Sequence, residues 1–213
     1  MSKPVLVISP HLDDAILGAG QFVAGRGDNV DILTVFSGIP NDPKVLTDYD
    51  RKSGFTTSRD AMVVRRQEDL EACAILNATA YHTDILDSQY SGGRQTGISQ
   101  VIKEAIEAKE YEFVLAPVGL IHPDHEAVSN AAYSLGIDNL VLYEDLPARV
   151  THPETVVKRG YEFNRDIGQG EPDFIGDGPI DLKIRALWAY RSQIGKGDLN
   201  PYNLYVSERF WKV

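Results

Sequence analysis

Two short stretches, PVLVIS (4–9) and VDILTVF (30–36), are apolar at almost every position. They are too short for buried helices, and continuous apolarity is the pattern of a strand covered on both faces. This constrains the fold strongly, because such strands belong to parallel sheets sandwiched between helices. The rest of the chain supplies the helices. AILGAGQFVAGRG reads as a helix ending near Gly25–Gly27, and SRDAMVVRRQEDLEACAILN (58–77) carries apolar residues at helical spacing, with Met62, Leu70 and Ala74 among them. AYHTDILD (80–87) reads as a short strand, GISQVIKEAIEAKEY (97–111) as an amphipathic helix and EFVLAPV (112–118) as a strand. HPDHEAVSNAAYSLGI (122–137) reads as a helix with Pro123 in its first turn, where proline is favoured. NLVLYE (139–144) is a strand, PIDLKIRALWAYRSQI (179–194) a last helix and NLYVSERFW (203–211) a final strand. Segments 37–58 and 145–178 are Gly/Pro-rich and read as irregular. The alternation predicts one domain over 1–213, an α/β fold of Rossmann-like, three-layer α/β/α architecture with a mostly parallel sheet. In such sheets ligands bind beyond the carboxyl ends of the strands.

Composition narrows the function. A net charge of −10 over 213 residues argues against nucleic acid and anionic lipid as partners. No apolar run reaches the roughly 18 residues of a membrane span, and the opening residues lack a signal-peptide pattern. The one cysteine, Cys73, cannot form an internal disulfide. A cytoplasmic location is the expectation.

Two polar clusters stand where a ligand site belongs. The first strand runs into His11, Asp13 and Asp14; the strand at 112–118 is followed by HPDH at 122–125. In each cluster two ligand-type residues are three apart (His11 and Asp14, His122 and His125), a spacing that puts them on one side of a starting helix. An aspartate at a helix start commonly caps it, and a single histidine after a strand is commonly a loop residue. Two such clusters, both at strand-to-helix junctions, favour a joint role. Two histidines and one carboxylate make a zinc set with a position left for water. Zinc lowers the pKa of bound water to about 7, and the leftover carboxylate and histidine suit a general base and acid. The spacing alone leaves open whether Asp13 or Asp14 is the ligand. His82 and His152 lack carboxylates at ligand spacing and read as structural or surface residues. LGAG (17–20) reads as close helix–sheet packing rather than a dinucleotide fingerprint, since its glycines come late after the strand.

With both clusters in view, the chain resembles the PIG-L/LmbE-like family of zinc-dependent N-deacetylases. PHLDD matches the family's His-x-Asp-Asp motif and HPDH its His-x-Asp-His motif. RRQEDLEACAIL, ILD, YEDLP and KIRALWAYRSQ look like further family segments. The resemblance implies zinc, with Fe2+ as the alternative metal, held by His11, Asp14 and His125. It makes Asp13 the general base, His122 the protonated oxyanion stabiliser and a candidate proton donor to the leaving amine, and Asp124 the group that orients a neighbouring histidine and keeps it charged. It assigns substrate contacts to Arg65 and Asp87. Arg65 has an alternative as an ion-pair partner of Asp69 or Glu68, and Asp87 as a turn cap. The implied reaction is hydrolysis of an N-acetyl or other N-acyl group from a small amino sugar or its conjugate, with segments 37–58 and 145–178 as pocket walls.

Three departures stand out. Leu12 replaces a proline common in the family, Ala15 a glutamate, and Leu120 a tyrosine that helps at the oxyanion in some members. Oxyanion stabilisation would then fall more heavily on zinc and His122, or on a tyrosine from a mobile loop such as Tyr49 or Tyr90. Two other functions use similar residues. A non-haem iron oxygenase also has a two-His, one-carboxylate site, and His11-x-Asp13 mimics its spacing, but those enzymes are mostly all-β. A metal-retaining binding protein is the other. The sequence leaves oligomeric state open.

Overall fold

The computed structural model describes residues 3–42, 44–93, 95–193 and 205–213. Seven strands form one sheet in the order β3-β2-β1-β4-β5-β7-β6. They are β1 (Val5–Ser9), β2 (Val30–Thr34), β3 (Thr79–His82), β4 (Phe113–Pro117), β5 (Leu140–Tyr143), β6 (Phe174–Ile175) and β7 (Arg209–Lys212). The first five in sheet order are parallel, with Val5 opposite both Val30 and Phe113. β7 pairs antiparallel with β5, and β6 antiparallel with β7. The mostly parallel sheet expected from the apolar runs is thus present, with an antiparallel edge.

Helices cover both faces. On one side lie α1 (Asp14–Arg26), α3 (Ser58–Ile75) and α9 (Ile180–Leu187), which bury Ile16, Phe22, Ala72, Cys73 and Leu187. On the other lie α5 (Ile98–Ala108), α6 (Pro123–Ser134) and α8 (Glu154–Phe163), which bury Ile102, Val128, Ala132, Val156 and Phe163. Short helices α2 (Asp48–Lys52), α4 (Ser88–Ser91) and α7 (Ala148–Thr151) sit in connections. Gly18 packs against the sheet as LGAG implied: a Cβ there would stand 2.6 Å from the Tyr143 ring. Lys183 and Glu208, both fully buried, join α9 to α1: Lys183 Nζ donates to the Leu17 carbonyl, and Glu208 accepts the Gln21 and Phe22 amides. Among the described residues no helix is long and apolar enough to cross a membrane.

Several boundaries differ from the sequence reading. Segment 145–178 is not irregular; α7, α8 and β6 lie in it. Its polar stretches hid a short amphipathic helix whose Val156 and Phe163 reach the core. Segment 37–58 contains α2, and the strand expected over 80–87 stops at His82, followed by α4. The last helix ends at Leu187, and the end of its expected span, residue 194, lies outside the described residues. Of the final strand expected over 203–211, residues 203 and 204 lie outside them as well, and the strand itself begins at Arg209.

Candidate metal centre

From β1 the chain winds outward to β2 and β3, then returns to add β4 and β5 on the other side. The strand order therefore reverses between β1 and β4, where a crevice opens beyond the strand ends. The two polar clusters follow these two strands. After β1, Ser9 Oγ donates to the His11 carbonyl (2.6 Å) and accepts the Ala15 amide (3.0 Å), which closes the turn. Asp13 has φ of 132°, a region that costs an L-residue about 1–3 kcal/mol. The reversal lets α1 start at Asp14, whose carboxylate accepts the His11 amide (2.8 Å). After β4, Gly119 has φ of 86°, and a Cβ would stand 2.7 Å from Ser129 Cβ. Glycine is required there for the chain to pass over the first turn of α6. His122 caps that helix, its Nδ1 accepting the Asp124 amide (3.2 Å).

These loops bring three atoms together. His11 Nδ1 lies 3.2 Å from Asp14 Oδ2 and 3.2 Å from His125 Nε2, and His125 Nε2 lies 3.1 Å from Asp14 Oδ2. Ligands about 2.0–2.1 Å from a tetrahedral zinc stand about 3.3–3.4 Å apart, so the donor set fits a metal closely. The far nitrogens support this. His11 Nε2 lies 3.0 Å from Asp124 Oδ2, and His125 Nδ1 2.5 Å from Asp145 Oδ1. An imidazole donating from its far nitrogen presents a lone pair from the near one. Two lone pairs and a carboxylate oxygen at this spacing repel one another unless a cation joins them. Looser groupings exist within 4.8 Å, one of His11, His122 and His125 and one of His11, Asp87 and Asp124. In the first, His122 Nδ1 is engaged as a cap; in the second, His11 already bonds Asp124. The tight triangle is the better cation site.

Electrostatics agree. Burial opposes charge on His11, but hydrogen bonds with Asp124 and Asp14 outweigh it and raise its pKa well above the usual value. Burial likewise opposes charge on His125, yet Asp14 and Asp145 push its pKa up to about 10. Asp14 resists burial and stays ionised at low pH because of His125 and His11. The pocket thus favours positive charge at the triangle. Burial, reinforced by the negative charge of Asp14, raises the pKa of Asp13 well above the usual carboxylate range. Burial, with the positive fields of His11 and His125, lowers that of His122. With Nδ1 accepting the Asp124 amide, the His122 ring carries its hydrogen on Nε2.

A cavity of about 350 Å³ opens beside the triangle, lined by His11, Asp13, Asp87, His122 and Arg65 among others. Asp13 and His122 face it together. Arg65 is buried and pairs with Asp50 (2.7 Å), not with Asp69 or Glu68; Asp69 instead holds His82 (2.7 Å) and Tyr190 (2.7 Å), and Glu68 holds Ser192. His82 is thus structural, but it does have a carboxylate partner. Asp87 both lines the cavity and caps α4 through the Gln89 amide (2.9 Å). Tyr49 is in the wall, whereas the Tyr90 hydroxyl is committed to Asp50 (3.1 Å) and Arg65 (3.1 Å) and does not replace the missing tyrosine. Leu12, Ala15 and Leu120 are all buried apolar contacts. No described residue of 145–178 lines the cavity, contrary to expectation; that side is built by Asp87, Ser88, Gln89 and Gln193.

Sequence reasoning missed Asp145 and Gln193. Gln193 Nε2 donates to the Leu12 carbonyl (2.8 Å), beside the strained Asp13. Asp145 follows β5, and the rule that singled out His11 and His122, a polar residue at the carboxyl end of a strand, would have found it. Gln193 carries no such signal.

The fold and these residues define a doubly wound α/β protein with a two-histidine, one-carboxylate candidate metal centre at its switch point. A family model described as PIG-L, GlcNAc-PI de-N-acetylase, matches residues 6–135, and the chain belongs to that family. Among solved structures, the A40926 pseudoaglycone deacetylase Dbv21 is 25% identical with a TM-score of 0.73, over 100% of this chain and 97% of that one. The zinc-inhibited form of teicoplanin deacetylase Orf2 shares the fold at 24% identity and a TM-score of 0.76, over 99% of this chain and 97% of its own. The N,N'-diacetylchitobiose deacetylase of Pyrococcus horikoshii shares it at 18% identity and a TM-score of 0.62, over 100% of this chain and 84% of its own. A search of curated proteins found no match.

Proposed function

We propose that this chain is a metal-dependent amide hydrolase, a single domain over 1–213, that removes an N-acetyl or other N-acyl group from an amino sugar or small amino-sugar conjugate. The observation that carries the reading is the triangle of His11, Asp14 and His125, with an unengaged carboxylate and a donor imidazole facing the same cavity. Zinc is the metal we assign, held by those three residues; Fe2+ suits the same donors. When bound, such a metal acidifies a water and polarises the acyl oxygen.

Asp13 takes the proton of the attacking water. Its carboxylate accepts no hydrogen bond among the described residues, and its raised pKa makes it a stronger base than an exposed aspartate. His122, with Nδ1 held by the Asp124 amide, donates its Nε2–H to the developing oxyanion. Asp13 then returns the proton to the leaving amine. Asp124 holds His11 in its donor form and is itself held by the Ser88 amide (3.1 Å) and Gln95 (2.7 Å). Arg65 and Asp87 line the cavity and orient the sugar, with the Arg65 guanidinium held by Asp50. The deacetylases named above, described as acting on A40926 pseudoaglycone, teicoplanin and N,N'-diacetylchitobiose, support a sugar acetamide as substrate. The buried Cys73, its thiol pKa raised by burial, suits a reducing cytoplasm.

The test is a mass-spectrometric screen of N-acetylated sugars with zinc- or iron-loaded protein, alongside Asp13→Asn. The variant is expected to keep its metal and lose about 10²–10⁴ in turnover. Wild-type turnover by Asp13→Asn would remove Asp13 as the base.

A further inference from the structure

The family match ends at residue 135, yet one of the two metal-facing histidines depends on a residue beyond it. Asp145 follows β5, which lies beside β4 in the sheet. It is a buried carboxylate, 3% exposed. Its Oδ1 stands 2.5 Å from His125 Nδ1, and its Oδ2 accepts the Gly119 amide at 2.9 Å. Both oxygens are therefore engaged by groups that flank the same α6 turn. Gly119 can aim its amide at Asp145 only because of its positive φ, in a space that a Cβ would not fit. The carboxylate is thus held from the backbone of one loop and grips the imidazole that follows it.

We infer that Asp145 is a positioning residue: it fixes His125 in its Nδ1–H form, aims the Nε2 lone pair into the triangle, and so sets metal affinity. The inference rests on the reading of His11, Asp14 and His125 as metal ligands. Asp145 touches neither substrate nor metal. Its side chain acts on the ligand, as outer partners of metal-bound histidines do, and their loss typically weakens metal binding about 10–100-fold. Asparagine in its place keeps the volume but cannot accept from both His125 and Gly119 at once.

The experiment compares zinc affinity of wild type and Asp145→Asn by competition with a chromophoric chelator, with apoprotein melting as the control for folding. The expected result is an affinity lowered about 10–100-fold with little change in apoprotein melting. An affinity within about twofold of wild type, in a folded variant, overturns the inference and leaves the metal reading intact. If wild type itself binds no zinc, both fall. A second measurement does not depend on the variant folding. Long-range proton–nitrogen correlations in the zinc-loaded wild-type protein report the His125 tautomer directly. A retained Nδ1–H is expected, and a His125 that keeps Nε2–H and coordinates through Nδ1 overturns the assignment.

Discussion

The chain up to the end of α6 and the part after it contribute differently to the same site. The first part carries the parallel strands β1 and β4 and, on the loops after them, every residue of the triangle together with Asp13 and His122. The described residues of the second part contribute no atom to the triangle, but they steady what the first presents. Asp145 grips His125, Gln193 holds the Leu12 carbonyl, and the Lys183–Glu208 pair bonds the backbone of α1, the helix that Asp14 begins. Chemistry and support are thus separated along the chain although they are adjacent in space.

This division can be broken from either side. The largest effect is expected from Asp14→Ala, which removes a corner of the triangle. Metal affinity should fall by more than the roughly 100-fold upper range for outer partners, while the apoprotein remains folded; equilibrium dialysis with metal analysis checks both. Lys183→Met should do the reverse. It leaves Glu208 buried without its ammonium, a loss of about 3–5 kcal/mol of stability, readable by denaturant unfolding of the apoprotein. Zinc affinity of the folded fraction should stay close to wild type. If Lys183→Met instead strips the metal at unchanged stability, the support is local to the site and the comparison fails.

The smallest effect sharpens the picture of how protons and metal compete. With its pKa near 10, His125 is protonated at pH 7.5 before metal enters, and His11 is raised in the same direction. Metal binding must displace those protons, so affinity should rise with pH up to the His125 pKa and fall on acidification. One proton from His125 and a further share from His11 should appear in calorimetric titrations run in buffers of different ionisation enthalpy. Binding at pH 7.5 without proton release would mean that the carboxylates around the triangle do not act as described.

The same division explains what the sequence revealed. The parallel half was legible because continuous apolar runs such as PVLVIS have one structural meaning, and its site because ligand-type residues recur three apart at strand ends. The later part resisted for physical reasons. The apolar face of α8 consists of a few residues spread among polar ones, and β6 has only two residues. Asp145 stands at a strand end, as His11 does, but Gln193 acts through a contact with a residue 181 positions away, and no local pattern announces it. Arg65 lines the cavity, but its partner Asp50 sits on α2 inside a segment that looked structureless.

The backbone at Asp13 has a consequence for how this site can change over generations. A glycine would occupy φ of 132° without strain. Variation that improves the resilience of the fold at this position therefore discards the carboxylate, and variation that keeps the carboxylate retains the strain. A lineage released from the need for turnover would drift toward glycine here. A sturdier fold with an idle pocket would be its signature, so a base at this position and a relaxed backbone exclude one another.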